Sequence, residues 1–165
     1  MREAAPCKSL TMHLSDFLDF DAIKTSFPSG NKRSLLQQLA NLAAQRLGTG
    51  ASAIHASITE REQLGSTGFG HGVAIPHGKI DGLNQIYGLF VRLSESVDYK
   101  AIDGRPVDLI FLLLSPLDAG ADHLKALAAI SRVTRNAAIL EKMRGARSRD
   151  ALAAVLMGAD ERDAA

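Results

Sequence analysis

The chain has 165 residues, 46% hydrophobic and 22% charged, which suits one compact core and is short for two. Its 19 Lys+Arg against 18 Asp+Glu leave a formal charge of +1, which excludes attraction to nucleic acid or to an anionic membrane driven by bulk charge. The single cysteine, Cys7, excludes an internal disulfide or a cysteine metal cluster, and no stretch approaches the roughly 20 apolar residues that span a bilayer. A cytoplasmic protein without membrane insertion is the expectation.

Residues 1–13 mix Pro, Ala and polar residues without a period and read as a flexible tail. Residues 159–165 read the same way, which sets one domain at 14–158. Between Asn31 and Gly48 the residues Leu35, Leu36, Leu39, Leu42, Ala43 and Leu47 recur at helical spacing, with a capping side chain before them and glycine after. A second helix begins near Ser52, carries Ile54 and Ile58 on one face and ends around 61–63, so Arg61 falls at its C-terminal end. Gly65-Ser66-Thr67-Gly68-Phe69-Gly70-His71-Gly72 follows, and its four glycines predict a loop with unusual dihedrals or a close approach to a ligand. It leads into Val73-Ala74-Ile75, a short strand stopped by Pro76.

Residues 86–93 and 107–114 are rich in β-branched, aromatic and aliphatic side chains and predict central strands. Asp103-Gly104 marks a turn between them, and Val97 and Tyr99 suit a minor strand. From Asp122 a helix carries Leu124, Leu127, Ala128, Ile130 and Val133, and shorter helical segments occupy 137–143 and 150–157. With strands in the middle and helices before and after, the pattern predicts a single α/β domain: a mixed parallel and antiparallel β-sheet flanked by α-helices on both faces.

One stretch carries chemistry. His77, placed after a strand by Pro76 and followed by Gly78, is expected at a rim in a fixed orientation, and its imidazole is a competent nucleophile because its unperturbed pKa is about 6.5. The glycines do not form a P-loop, since no Gly-Lys-Ser/Thr follows and they precede a strand instead of opening a helix. His71 either assists at the site or faces solvent from the loop. Phe69, flanked by glycines, either anchors a partner or plugs the core. A rival reading is a histidine metal-binding module built from His71, His77 and His123, without an obvious carboxylate or thiol to complete the shell.

The stretch from Gly65 to Gly78 resembles the active-site signature of the type 2 enzyme IIA domains of the phosphoenolpyruvate-dependent phosphotransferase system, the mannitol/fructose family. Ala101-Ile102-Asp103-Gly104-Arg105-Pro106-Val107-Asp108-Leu109 resembles the segment before that family's central strand, and His123-Leu124 its second histidine opening a helix; the likeness spans about 14–157. It implies that His77 accepts a phosphoryl group at Nε2 while a hydrogen bond holds Nδ1. It makes Arg61 and His123 auxiliary groups, with no metal or cofactor; Gly68, Gly70 and Gly72 are candidates for a phosphate-binding loop, or else serve turns and tight packing. A guanidinium suits the three equatorial oxygens of a phosphoryl group in flight, and a helix N-terminus beside His123 also favours an anion.

The donor implied is an HPr-like phosphocarrier. His71 stands where the signature often has another polar residue. Gly78 and Lys79 resemble the nitrogen-regulatory branch, which implies signalling to protein targets such as transporters or sensor kinases. The alternative within the family is a soluble enzyme IIA for fructose or mannitol uptake that passes phosphate to a IIB cysteine; the one cysteine here lies in Ala5-Pro6-Cys7-Lys8, and no IIB or membrane domain is expected.

Overall fold

The computed structural model describes residues 11–163; residues 1–10, with Cys7, and residues 164–165 of the expected tails lie outside it. The apolar run at 107–116 forms β6 (Val107–Pro116), whose residues from Leu109 to Leu114 are fully buried. Against it lie β5 (Tyr87–Val97), antiparallel, and two short parallel strands, β3 (Val73–Ala74) and β4 (His77–Ile80). β1 (Lys24–Phe27) runs parallel on the far side of β5, and β2 (Gly68–Gly70) antiparallel on β3. The six described strands make one mixed sheet in the order β1-β5-β6-β3-β2, with β4 beside β6 beyond the end of β3.

Five α-helices cover the sheet among the described residues: α1 (Lys32–Leu47), α2 (Ala51–Gln63), α3 (Ala121–Thr134), α4 (Ala137–Gly145) and α5 (Arg149–Asp163). Local signals start and stop them. Asn31 accepts the Ser34 amide at 2.8 Å to open α1, and Gly48 closes it in the left-handed region at φ 69°. Strand alternation then divides the core. Ile110, Leu112 and Leu114 pack with Leu35, Leu39, Ile54 and Ile58 of α1 and α2, whereas Leu109, Phe111 and Leu113 pack with Ala126, Ile130, Leu140 and Leu152 of α3 to α5. Helices thus lie on both faces of a mixed sheet, as the pattern predicts.

Several elements differ from the sequence reading. Gly68–Gly70 is a strand, so the expected loop is a hairpin that turns through Gly70, His71 and Gly72 at φ 110°, 57° and 79°. Pro76 interrupts its strand without ending it: Val73 faces Leu109 and His77 faces Leu113, so β4 resumes in the register of β3 and His77 opens a strand instead of following one. β5 continues through Val97, and Tyr99 is a fully buried residue outside any strand. β1 and β4 are four residues each and lack an apolar run, which is why neither was expected. Leu124 is 68% exposed and does not serve the core face of α3. At the two ends, Met12 packs on the core and α5 runs to Asp163 with Ala159 buried.

Candidate functional site

Alternation along β4 and β6 decides what meets at the edge of the sheet. Gly78 and Ile80 turn toward α1 and α2, and a Cβ at Gly78 would collide with Ser57 of α2. His77, Lys79 and Ser115 turn to the other face, beneath the first turn of α3, where His123 stands third in the helix. The end of α2 comes over the same edge from the opposite face. Between them opens a hollow of about 370 Å³ lined by Ser57, Glu60, Arg61, Leu64, His77, Gly78, Lys79 and His123.

His77 Nδ1 lies 2.8 Å from the Ile75 carbonyl oxygen. A carbonyl only accepts, so Nδ1 carries the proton and donates it, and Nε2 keeps a bare lone pair. Burial pushes the His77 pKa below its ordinary value; the Ile75 carbonyl and Glu62 push it up, and the Arg61 charge pushes it down. His123 is lowered too, by burial first and then by His77 and Lys79. Two neutral imidazoles therefore face each other at physiological pH, their ring centroids 5.5 Å apart and their planes tilted by 50°. His123 Nδ1 lies 2.5 Å from the hydroxyl of Ser115, a fully buried residue of β6.

Arg61 sits in the last turn of α2, where its Nη1 donates to the Gly65 carbonyl at 3.0 Å. The next residue fixes that turn. Both Glu62 carboxylate oxygens lie 3.1 Å from the Thr67 amide, and the carboxylate also accepts from the Thr67 hydroxyl, from Tyr99 OH at 2.7 Å and from Lys32 Nζ at 2.9 Å. Lys32 in turn lies 4.3 Å from the centre of the Tyr99 ring. Burial and the Glu62 charge push the Tyr99 phenol above its ordinary range, so it stays a donor. These partners come from α1, the segment before the hairpin and the segment after β5. No local spacing announces such a buried carboxylate, and neither Glu62 nor Ser115 was a sequence candidate.

The structure brings Arg61, His77 and His123 together and leaves the other candidates elsewhere. Gly68, Gly70, Gly72, Phe69 and His71 do not line the hollow. His77 faces Leu113 while Val73 faces Leu109, a separation of four residues or about 13 Å along the strand. The three glycines, phosphate-loop candidates in the sequence, thus stand away from the hollow: Gly68 and Gly72 permit close packing, and Gly70 permits a turn at φ 110°. A Cβ at Gly68 would meet Ala101 at 2.6 Å, and one at Gly72 would collide with Arg144 and lie 2.9 Å from Asp108. Phe69 lies on β2 at 37% exposure, neither in the core nor at the hollow, and the exposed apolar side chain at the hollow is Leu64 at 82%. His71 holds the hairpin turn, its amide on Asp103 at 3.0 Å and its carbonyl on Arg144 at 2.6 Å. The three-histidine metal reading therefore fails on geometry, and no group of three or more His, Cys, Asp or Glu among the described residues is arranged to hold a metal.

Fold and hollow define a class: a small α/β domain that gathers two neutral imidazoles and a guanidinium at one sheet edge. The family model described as "Phosphoenolpyruvate-dependent sugar phosphotransferase system, EIIA 2" matches residues 16–158, and the chain belongs to that family. Its likeness runs to the nitrogen regulatory members. A nitrogen regulatory protein of Bradyrhizobium diazoefficiens is 46% identical over 145 residues, covering 88% of this chain and 95% of its own. The crystal structure of nitrogen regulatory protein IIA-Ntr from Neisseria meningitidis superposes with a TM-score of 0.81 at 34% identity, covering 87% of this chain and 98% of that one. A fructose-specific EIIA component of Haloferax volcanii is 33% identical over 145 residues, covering 87% of this chain and 94% of its own. No helix among the described residues is long and apolar enough to cross a membrane.

Proposed function

We propose that this protein is a nitrogen-regulatory histidine phosphocarrier of the cytoplasm. It accepts a phosphoryl group on His77 Nε2 from an HPr-like carrier and signals to protein targets through its phosphorylation state. The observation that carries the reading is the Ile75 carbonyl on His77 Nδ1, which leaves Nε2 as the one nucleophilic atom of that ring and aims it from a fixed strand end. The Nε2 lone pair forms the new N–P bond as the bond from phosphorus to the donor histidine nitrogen breaks, and the donor nitrogen keeps that electron pair. No proton leaves His77. The ring gains positive charge, which the Ile75 carbonyl stabilises through Nδ1–H. Negative charge on the equatorial oxygens meets the Arg61 guanidinium, the His123 ring and the Lys79 ammonium, which share the hollow.

The regulatory role is supported by the likeness to nitrogen regulatory proteins at 46% identity and by the fold match at 34%. The fructose-specific relative at 33% identity keeps a second reading in view, transfer onward to a IIB cysteine. Incubation with phosphoenolpyruvate, enzyme I and the HPr-like carrier, followed by intact-mass measurement, tests the chemistry. One acid-labile phosphoryl group is expected on the parent protein and none on His77→Ala; continued labelling of His77→Ala would overturn the assignment. Adding a fructose-type IIB domain to the phosphorylated protein separates the two roles, since the regulatory reading expects no rapid loss of the label to its cysteine.

A further inference from the structure

We infer that Ser115 is a positioning residue that fixes the tautomer of His123, so that His123 turns Nε2–H toward the hollow and never a second bare nitrogen. Its consequence for phosphoryl transfer rests on His77 being the acceptor; the tautomer itself does not.

Ser115 is 0% exposed, and its Oγ lies 2.5 Å from His123 Nδ1. That contact is the one hydrogen bond of its side chain among the described residues. A buried hydroxyl left without an acceptor loses its hydrogen bond to water and gains none in return. If Nδ1 carried the proton and donated to Oγ, the Ser115 O–H would have no acceptor. If Ser115 donates to Nδ1, the hydroxyl is satisfied and the ring proton must sit on Nε2. The pairing is built into the sheet. Ser115 follows His77's partner Leu113 by two positions on the same face of β6, opposite Lys79, so its hydroxyl emerges directly beneath the first turn of α3.

The two histidines thus receive opposite tautomers from opposite partners. A carbonyl behind His77 forces Nδ1–H and a bare Nε2; a hydroxyl behind His123 favours a bare Nδ1 and Nε2–H. With centroids 5.5 Å apart the rings are then a nucleophile and a donor, not two competing nucleophiles. His123 Nε2–H can donate to an oxygen of the phosphoryl group on His77 without any proton having to move first.

Ser115→Val and Ser115→Thr test this as a pair, because they share a shape and differ in the hydroxyl. The readout is the ¹⁵N shift pattern of the His123 ring in the unphosphorylated protein, together with single-turnover transfer from the phosphorylated carrier. Parent and Ser115→Thr should show a protonated Nε2 and a bare Nδ1. Ser115→Val should lose that pattern, and its transfer should slow by about tenfold, the lower end of what the loss of a histidine-orienting partner costs at metal sites. Ser115→Thr should stay within about threefold. Should the added methyl prevent both variants from folding, Ser115→Ala supports the same measurement. A protonated Nδ1 in the parent, or an unchanged pattern in the variant without the hydroxyl, overturns the inference. Failure of the parent to take up phosphate overturns the phosphocarrier reading instead, and the ¹⁵N pattern still decides the role of Ser115.

Discussion

The glycine hairpin and the hollow lie on one interrupted strand four residues apart, yet their polar groups behave in opposite ways. At the hairpin Arg144, Asp108 and Asp103 are all engaged. Arg144 holds Asp108 through two bonds of 2.9 Å and the His71 carbonyl through a third, while Asp103 takes the His71 and Arg105 amides. At the hollow, His77 Nε2, Lys79 Nζ and Arg61 Nη2 have no hydrogen-bond partner among the described residues, although each of these side chains is held from behind or by its strand. Satisfied groups fix the backbone. Donors and lone pairs that share one concave space without partners are what a transient anion can use.

The contrast is most open to attack at Arg61. Arg61→Lys keeps the charge but loses the fork of donors, so phosphoryl transfer to His77 should slow by about a hundredfold, equivalent to about 3 kcal/mol, with carrier binding little changed. Rapid-quench measurement of a single turnover checks it; a rate within twofold of the parent would make Arg61 a helix-end charge only. Gly72→Ala probes the other region. Its φ of 79° and the nearby Arg144 should make alanine destabilising by about 2 kcal/mol in urea unfolding, while the folded fraction transfers phosphate at the parent rate. A transfer defect larger than the folding defect would return the glycines to the site.

Acidity sharpens the same comparison. The pKa values of His77 and His123 are both lowered in the folded protein, so between those values and 6.5 the unfolded chain binds more protons. Stability should therefore fall as pH drops below about 6.5 and level off below the folded values. Phosphate acceptance, which needs neutral His77, should titrate with a midpoint below that of a free histidine. Arg61→Gln should move the midpoint upward, because its charge disfavours the imidazolium. A midpoint at or above 6.5 in the parent would contradict the burial of the ring. The smallest effects are expected from apolar surface: Leu64→Ala, at the hollow, should weaken carrier docking a few-fold, and Phe69→Ala should leave it within twofold.

How much of this was legible follows from the range of each signal. Helix α1 was readable because its cap, apolar period and terminal glycine all lie within its own segment. The helices on both faces followed from the chain order, and His77, Arg61 and His123 from the resemblance. The glycine stretch misled because a strand of Gly-Phe-Gly is held by its neighbours: Ala101 and Arg144 crowd it from distant parts of the chain. Glu62 and Ser115 escaped notice for the same reason. A buried carboxylate and a buried hydroxyl look like any surface polar residue until Lys32, Tyr99 and His123 arrive beside them.

If the hollow divides its two histidines into one acceptor and one donor, locating the phosphoryl group atom by atom will show it. The ¹⁵N-labelled protein, phosphorylated through its carrier, should show phosphorus bonded to Nε2 of His77 alone, with His77 Nδ1 and His123 Nε2 both protonated. Phosphorus on His123, or on Nδ1 of His77, would rule that division out.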